Sequence, residues 1–162
     1  MEIHPETPIL GMDINQKFGE RTVEVTINRL NQMGQAYGLT YGKLTHLPNS
    51  NFALQAAEYA RSKGKIEAYH HLLMESYFTH GKDIGRIDVL CELGRQVGLN
   101  ATELEEAIVH KLFQEKLDQD AEIARKNNIH STPTFIINDQ YLITGAQSID
   151  KFRQAFNEIL ES

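Results

Sequence analysis

Residues Ile129 to Gln147 read IHSTPTFIINDQYLITGAQ, and this stretch decides the fold. Thr132-Pro133 predicts a tight turn at the mouth of a strand, where the missing proline N–H does least harm. Thr134 to Ile137 is apolar without alternation, the pattern of a strand covered on both faces. Asn138-Asp139 suits the positive backbone angles of a two-residue hairpin turn. Tyr141 to Thr144 is a β-rich return strand, and Gly145 ends it. Ser148 then caps a closing helix that turns Ile149, Phe152, Phe156 and Ile159 toward a core.

Upstream the pattern is mainly helical. Residues 1 to 14 hold Pro5, Pro8 and Gly11 on an extended path, with Glu2 to His4 as the tail of a strand. One helix is expected from about Gln16 to Tyr37, with Val23, Ile27, Leu30 and Met33 as its apolar stripe and Gly38 as its stop. Residues 39 to 48 are irregular, with a short extended piece at Leu44 to Leu47. Asn49 or Ser50 starts the next helix, whose Phe52, Ala53, Ala56, Ala57 and Ala60 form a narrow packing face, and Gly64 ends it. Further helices are expected over Ile66–Thr79, Ile87–Val97, from a capping arrangement at Asn100 or Thr102 to about Leu112, and over about Phe113–Asn127.

Composition narrows the function classes. A chain of 162 residues, 41% hydrophobic and 23% charged, supports a real core and no general disorder. A net charge of −6, with basic residues scattered singly among acidic ones, argues against a nucleic-acid partner. No apolar run matches a membrane span. The opening MEIHPETPIL lacks a signal peptide's basic start and apolar centre, and a single cysteine fits a reducing compartment, so a cytoplasmic location is expected.

Cys91 lies in IDVLCELG and is expected to be a packed thiol, the alternative being a regulatory or intermolecular one. His70 and His71 are neighbours about 100° apart on a helix and do not form an i, i+4 metal pair. His80 and His130 have no partner at ligand spacing. Glu103, Glu105, Glu106, Asp118, Asp120 and Glu122 read as solvated helix faces. Phe52, Tyr59, Tyr69, Tyr77 and Phe78 read as bundle core rather than a ligand cage. Phosphate loop, nucleophile elbow and metalloprotease motifs are absent, so neither cofactor nor metal is expected.

Several segments together resemble one family. TPTFIIN, YLITGAQ and a terminal helix look like the C-terminal part of a thioredoxin fold. NSNFALQAAEYARSKGKIEAYHHLLMESYFTHGKDIG resembles the helical insert of the DsbA-like dithiol-disulfide oxidoreductases of the FrnE type. EIHPETPILG is similar to the segment after that family's second strand, and GAQSIDKF to the one before its last helix. The resemblance implies an α/β fold: an incomplete thioredoxin-like sheet from about residues 1–39 and 129–162, a large all-helical insert at about 40–128, and a single DsbA-like domain over 1–162. It implies a cis Thr132-Pro133 bond beside the family's cysteines, with Thr132 and Pro133 on the substrate-binding side.

The first strand and Cys-X-X-Cys helix of that family have no counterpart in the sequence. No catalytic residue is therefore assigned. The expectation is a truncated protein without thiol–disulfide exchange, keeping Thr132-Pro133 either as scaffold or as a contact for a peptide or protein partner. One alternative is a fragment of an active cytosolic protein disulfide isomerase whose Cys-X-X-Cys lies upstream. Another is a relative of chromene-carboxylate isomerases or kappa-class glutathione transferases. Without the first strand, Thr134 to Asn138 would present an open apolar edge, and a homodimer covering it is expected.

Overall fold

The computed structural model describes residues 2 and 4–161. They fall into two compact units, Met1–Asp120 and Ala121–Ser162.

The first unit begins with two tight turns, Thr7 N–H to the His4 carbonyl at 3.0 Å and Gly11 N–H to that of Pro8 at 2.7 Å. Strand β1 (Met12–Asp13) follows and pairs antiparallel with β2 (His46–Leu47). The extended piece expected at Leu44 to Leu47 is thus a strand at its second half. Of the strand tail expected at Glu2 to His4, residue 3 lies outside the described residues, and Glu2 and His4 are in no strand.

The helix expected over Gln16–Tyr37 is three pieces: α1 (Ile14–Phe18), α2 (Glu20–Gly34) and a 3-10 turn (Gln35–Tyr37). Asp13 caps α1 by accepting the Asn15 N–H at 2.7 Å. Gly19 then breaks the run with φ at 83°, a conformation that side chains with a Cβ rarely adopt. The expected stripe on α2 turns inward except at its last member, Met33. Val23, Ile27 and Leu30 are half-buried, Gly34 is buried and Met33 is exposed.

The core lies among α3 (Asn51–Ser62), α4 (Ile66–Phe78), α5 (Ile87–Gln96) and α6 (Ala101–Val109). Small residues decide the spacing. Ala56 and Ala60 of α3 are fully buried, which lets α3 approach α4 and α6 closely while Tyr69, Leu90, Leu93, Leu104 and Ile108 fill the volume between. A fully buried leucine of this kind contributes roughly 1.5–3 kcal/mol. Tyr59 and Tyr69 are core residues, and Phe52 and Tyr77 pack against that core. Buried Tyr69 donates its hydroxyl to the Leu90 carbonyl at 3.2 Å, so no polar atom is stranded there.

The caps are sharper than the sequence alone specifies. Asn49 accepts the Asn51 N–H at 3.0 Å and donates to the Thr7 carbonyl at 2.8 Å, tying the N-terminal turns to α3. Asn100, rather than Thr102, caps α6 by accepting the N–H groups of Thr102 and Glu103. That helix ends at Val109, short of Leu112, where Lys111 takes a positive φ of 52°. Gln55 is fully buried. It accepts the Phe113 N–H and donates to the Gln114 side chain, both at 3.0 Å, which fixes the start of α7 (Gln114–Lys126).

The second unit is built on a hairpin. Strands β3 (Thr134–Ile137) and β4 (Tyr141–Thr144) pair antiparallel, from Thr134 opposite Thr144 to Ile137 opposite Tyr141. Asn138 and Asp139 have the expected positive φ angles, 51° and 57°. The connection is nevertheless three residues, 138–140, because Ile137 and Tyr141 form the last pair; Gln140 N–H closes the turn on the Ile137 carbonyl at 3.1 Å.

Helix α8 (Ile149–Glu161) backs the hairpin, with Phe152 meeting Phe135 edge to face at 5.0 Å. Ser148 caps it by accepting the Lys151 N–H. The two-faced burial expected of β3 is not observed: Phe135 and Ile136 are 39% and 42% exposed. One helix covers one side of a two-stranded sheet, and among the described residues no strand pairs with the other edge of β3. For the same reason Ile149 and Phe156 of α8 are exposed, while Phe152 and Ile159 are half-buried. Among the described residues no helix is long and apolar enough to cross a membrane.

Candidate functional site

The turn into β3 is built by local rules. After α7, Ile129 N–H returns to the Ala124 carbonyl at 2.8 Å while Asn128 takes a positive φ of 53°, an exit that reverses the chain. His130, Ser131, Thr132 and Pro133 follow on the surface. The Thr132–Pro133 peptide bond is cis.

Two hydrogen bonds hold the turn. The Thr134 hydroxyl donates to the Ser131 carbonyl at 2.8 Å, and the Gly145 N–H donates to the Pro133 carbonyl at 2.8 Å. The second extends the ladder one step beyond the Thr134–Thr144 pair, so Pro133 is registered to the end of β4. Gln147 donates to the Thr144 carbonyl at 2.9 Å and steadies that end. Gly145 was read only as the end of the return strand, and Ser131 and the Thr134 hydroxyl were not singled out from the sequence. The signal for Gly145 was the pairing register, which fixes its N–H opposite Pro133 once the turn length is known.

Thr132 is left differently. It is exposed, and among the described residues neither its N–H nor its carbonyl has a protein partner. The two sequence-assigned positions therefore sit together at the head of β3. Pro133 is tied by its carbonyl, and Thr132 presents a free donor and acceptor to solvent. Extended peptides bind other proteins through such backbone groups.

Cys91 has the opposite character. It is 4% exposed on α5, and its thiol lies 3.5 Å from the Ala101 carbonyl. Burial, and next the Glu105 carboxylate, push its thiol above the ordinary range, with Arg95 opposing. Attack on a disulfide requires a thiolate, which this environment disfavours. His70, His71, His80 and His130 are exposed. Among the described residues no group of three or more His, Cys, Asp and Glu side chains is placed to hold a metal ion.

Residues 1–157 match the model of the DSBA-like thioredoxin domain. The chain belongs to that family. In sequence it is similar to the uncharacterized protein YwbO of Bacillus subtilis (strain 168), with 29% identity over 112 residues, 68% of this chain. It spans 56% of the length of that relative. In structure it is similar to the probable DsbA oxidoreductase SCO1869 of Streptomyces coelicolor, at a TM-score of 0.87 and 19% identity. That match covers 100% of this chain and 74% of the other. The fold class is accordingly α/β, a DsbA-like thioredoxin fold rich in helix, with small sheets.

Proposed function

We propose that this chain is a DsbA-like protein of the FrnE type that binds extended peptide through the Thr132 backbone and carries out no dithiol exchange by itself. The observation behind this reading is the exposed N–H and carbonyl of Thr132, without a protein partner among the described residues, beside an anchored Pro133. An extended peptide supplies one acceptor and one donor to these groups. Each such bond nets about 0.5–1.5 kcal/mol, so binding is weak and tolerant of peptide sequence.

Exchange chemistry needs more. An attacking thiolate forms a mixed disulfide, and a second thiol resolves it. This chain holds one cysteine, and that one is buried.

The test pairs two measurements on the 162-residue chain. Backbone amide NMR with a reduced, carboxymethylated polypeptide should give saturable shifts centred on residues 131–134. An insulin-reduction assay should give no turnover. Turnover, or peptide shifts that leave residues 131–134 unmoved, would overturn the reading.

A second reading is favoured by the chain's covering 56% of the length of YwbO. In it the whole protein is a disulfide oxidoreductase, and a Cys-X-X-Cys outside these 162 residues faces Pro133. Joining such a segment to the chain would then restore insulin reduction. We further propose that the free edge of β3, Thr134 to Asn138, pairs with a second copy of the chain. The exposed Phe135 and Ile136 and the unpaired strand edge support this. Sedimentation velocity showing a monomer at high protein concentration would exclude it.

A further inference from the structure

We propose that an open cavity between residues 37–41 and helix α4, far in sequence from the Thr132 site, binds a small organic ammonium ion. The cavity is about 480 Å³, a size that accepts small organic ligands. Its walls include Tyr37, Tyr41, Phe78, Met74 and Glu75.

The cavity is held open by hydrogen bonds rather than by packing alone. Asn31 clamps the backbone of Tyr41 at both ends, accepting its N–H at 2.8 Å and donating to its carbonyl at 3.1 Å. The Thr79 hydroxyl donates to the Thr40 carbonyl at 2.8 Å, and the Gly42 N–H to the Phe78 carbonyl at 2.8 Å. Gly42 is required for that approach: a Cβ there would lie 2.3 Å from the Thr79 carbonyl oxygen. Loop and helix end are thus stapled at successive residues, and Tyr41 meets Phe78 edge to face at 5.7 Å. A ligand finds the rings already placed, so it spends little of its binding energy on ordering them.

The chemistry of the lining selects the ligand. Aromatic faces carry negative potential and attract a cation, most strongly where water is excluded. Glu75 adds a carboxylate on the same wall. Its nearest positive candidate, His80 Nε2, stands 3.6 Å away, too far for a good hydrogen bond. His71 also lines the cavity, and among the described residues no lysine or arginine does. The net charge of −6 favours a cation further. An anion would meet the Glu75 carboxylate, and a neutral apolar ligand gains nothing from it.

The test uses choline chloride and its uncharged carbon isostere, 3,3-dimethylbutan-1-ol, on the full chain, followed by the Met74 methyl resonance. Choline should shift that methyl saturably, and the alcohol should bind at least about fivefold more weakly. Glu75→Gln should weaken choline about fivefold and leave the alcohol unchanged. Tyr41→Leu should weaken both ligands, and Tyr41→Phe should restore them. No saturable shift, equal binding of the two ligands, or choline binding unaffected by Glu75→Gln would overturn the proposal.

Discussion

Phe135 and Phe152 offer the sharpest test of what holds the Thr132 site in place. Phe135 follows Pro133 by two residues on β3 and meets Phe152 of α8 at 5.0 Å with the rings at 86°. It is 39% exposed, so about three-fifths of its surface is covered. Fully buried phenylalanine to alanine changes cost about 3–5 kcal/mol, so Phe135→Ala should cost roughly 2–3 kcal/mol. Phe152→Ala is half-buried and should cost a similar amount. The two losses should not add. An edge-to-face pair is worth about 0.5–1.5 kcal/mol beyond its area, so the double variant should be less destabilised than the sum by that margin. The assay is urea unfolding read from the amide signals of β3 and β4, which reports the hairpin itself. Amide exchange in β3 should quicken in both single variants, and peptide affinity at Thr132 should fall with the fraction of molecules whose hairpin is open. A coupling below about 0.3 kcal/mol, near the additivity error, with unchanged exchange, would refute the claim that this ring pair seats the hairpin on α8.

Gln55→Leu keeps the volume but strands the Phe113 N–H and the Gln114 side chain; a loss of about 2–4 kcal/mol in denaturant unfolding is expected, with faster exchange at the Phe113 amide. Cys91 should react with a thiol reagent many times more slowly than an unfolded control at neutral pH and speed up only in denaturant, whereas rapid modification of the folded chain would contradict its burial. Glu103 is held below the ordinary carboxylate range, chiefly by Lys63, and Lys63 above its own by Glu103. The stabilisation from Glu103 is therefore present above its unfolded value and fades as pH falls through its folded value. That from Lys63 is present below its unfolded value and fades as pH rises through its folded value. Lys63→Met should lower the melting temperature at neutral pH and lose that effect in acid; an unchanged difference across the acid range would count against the pair.

The sequence was legible where local chemistry decides structure. Asn138-Asp139 selected positive φ angles, Asn100 selected a helix start, and the alanines of α3 marked a close-packed face. It misled where the outcome depends on what lies opposite. The apolar run Thr134 to Ile137 reads the same whether one face or two are covered, so the exposure of Phe135 and Ile136 was invisible. Gly19 could have continued a helix at modest cost, and its adoption of a positive φ depends on where α1 must point. The cavity walls were hidden for a similar reason. Tyr41 lies in an irregular stretch, and the Asn31 clamp together with the Thr40 and Gly42 bonds to the end of α4 places it against Phe78.

Under the proposed function, binding and chemistry separate because they draw on different atoms. Dithiol exchange needs two sulfur atoms at one place, and these 162 residues hold one cysteine, which is buried. Strand-like peptide binding needs a backbone N–H and carbonyl held in an extended geometry, which any residue except proline supplies. The Gly145 N–H bond to the Pro133 carbonyl and the Thr134 hydroxyl bond to Ser131 supply that geometry from within the hairpin. No sulfur takes part in either. Removing Cys91 should therefore leave peptide shifts at residues 131–134 intact, while replacing Gly145 with valine should weaken them. Gly145 has φ at 81°, where a β-branched side chain is strained, and its N–H is what anchors Pro133. If Cys91→Ala abolished the shifts and Gly145→Val did not, the thiol rather than the backbone would be the binding element.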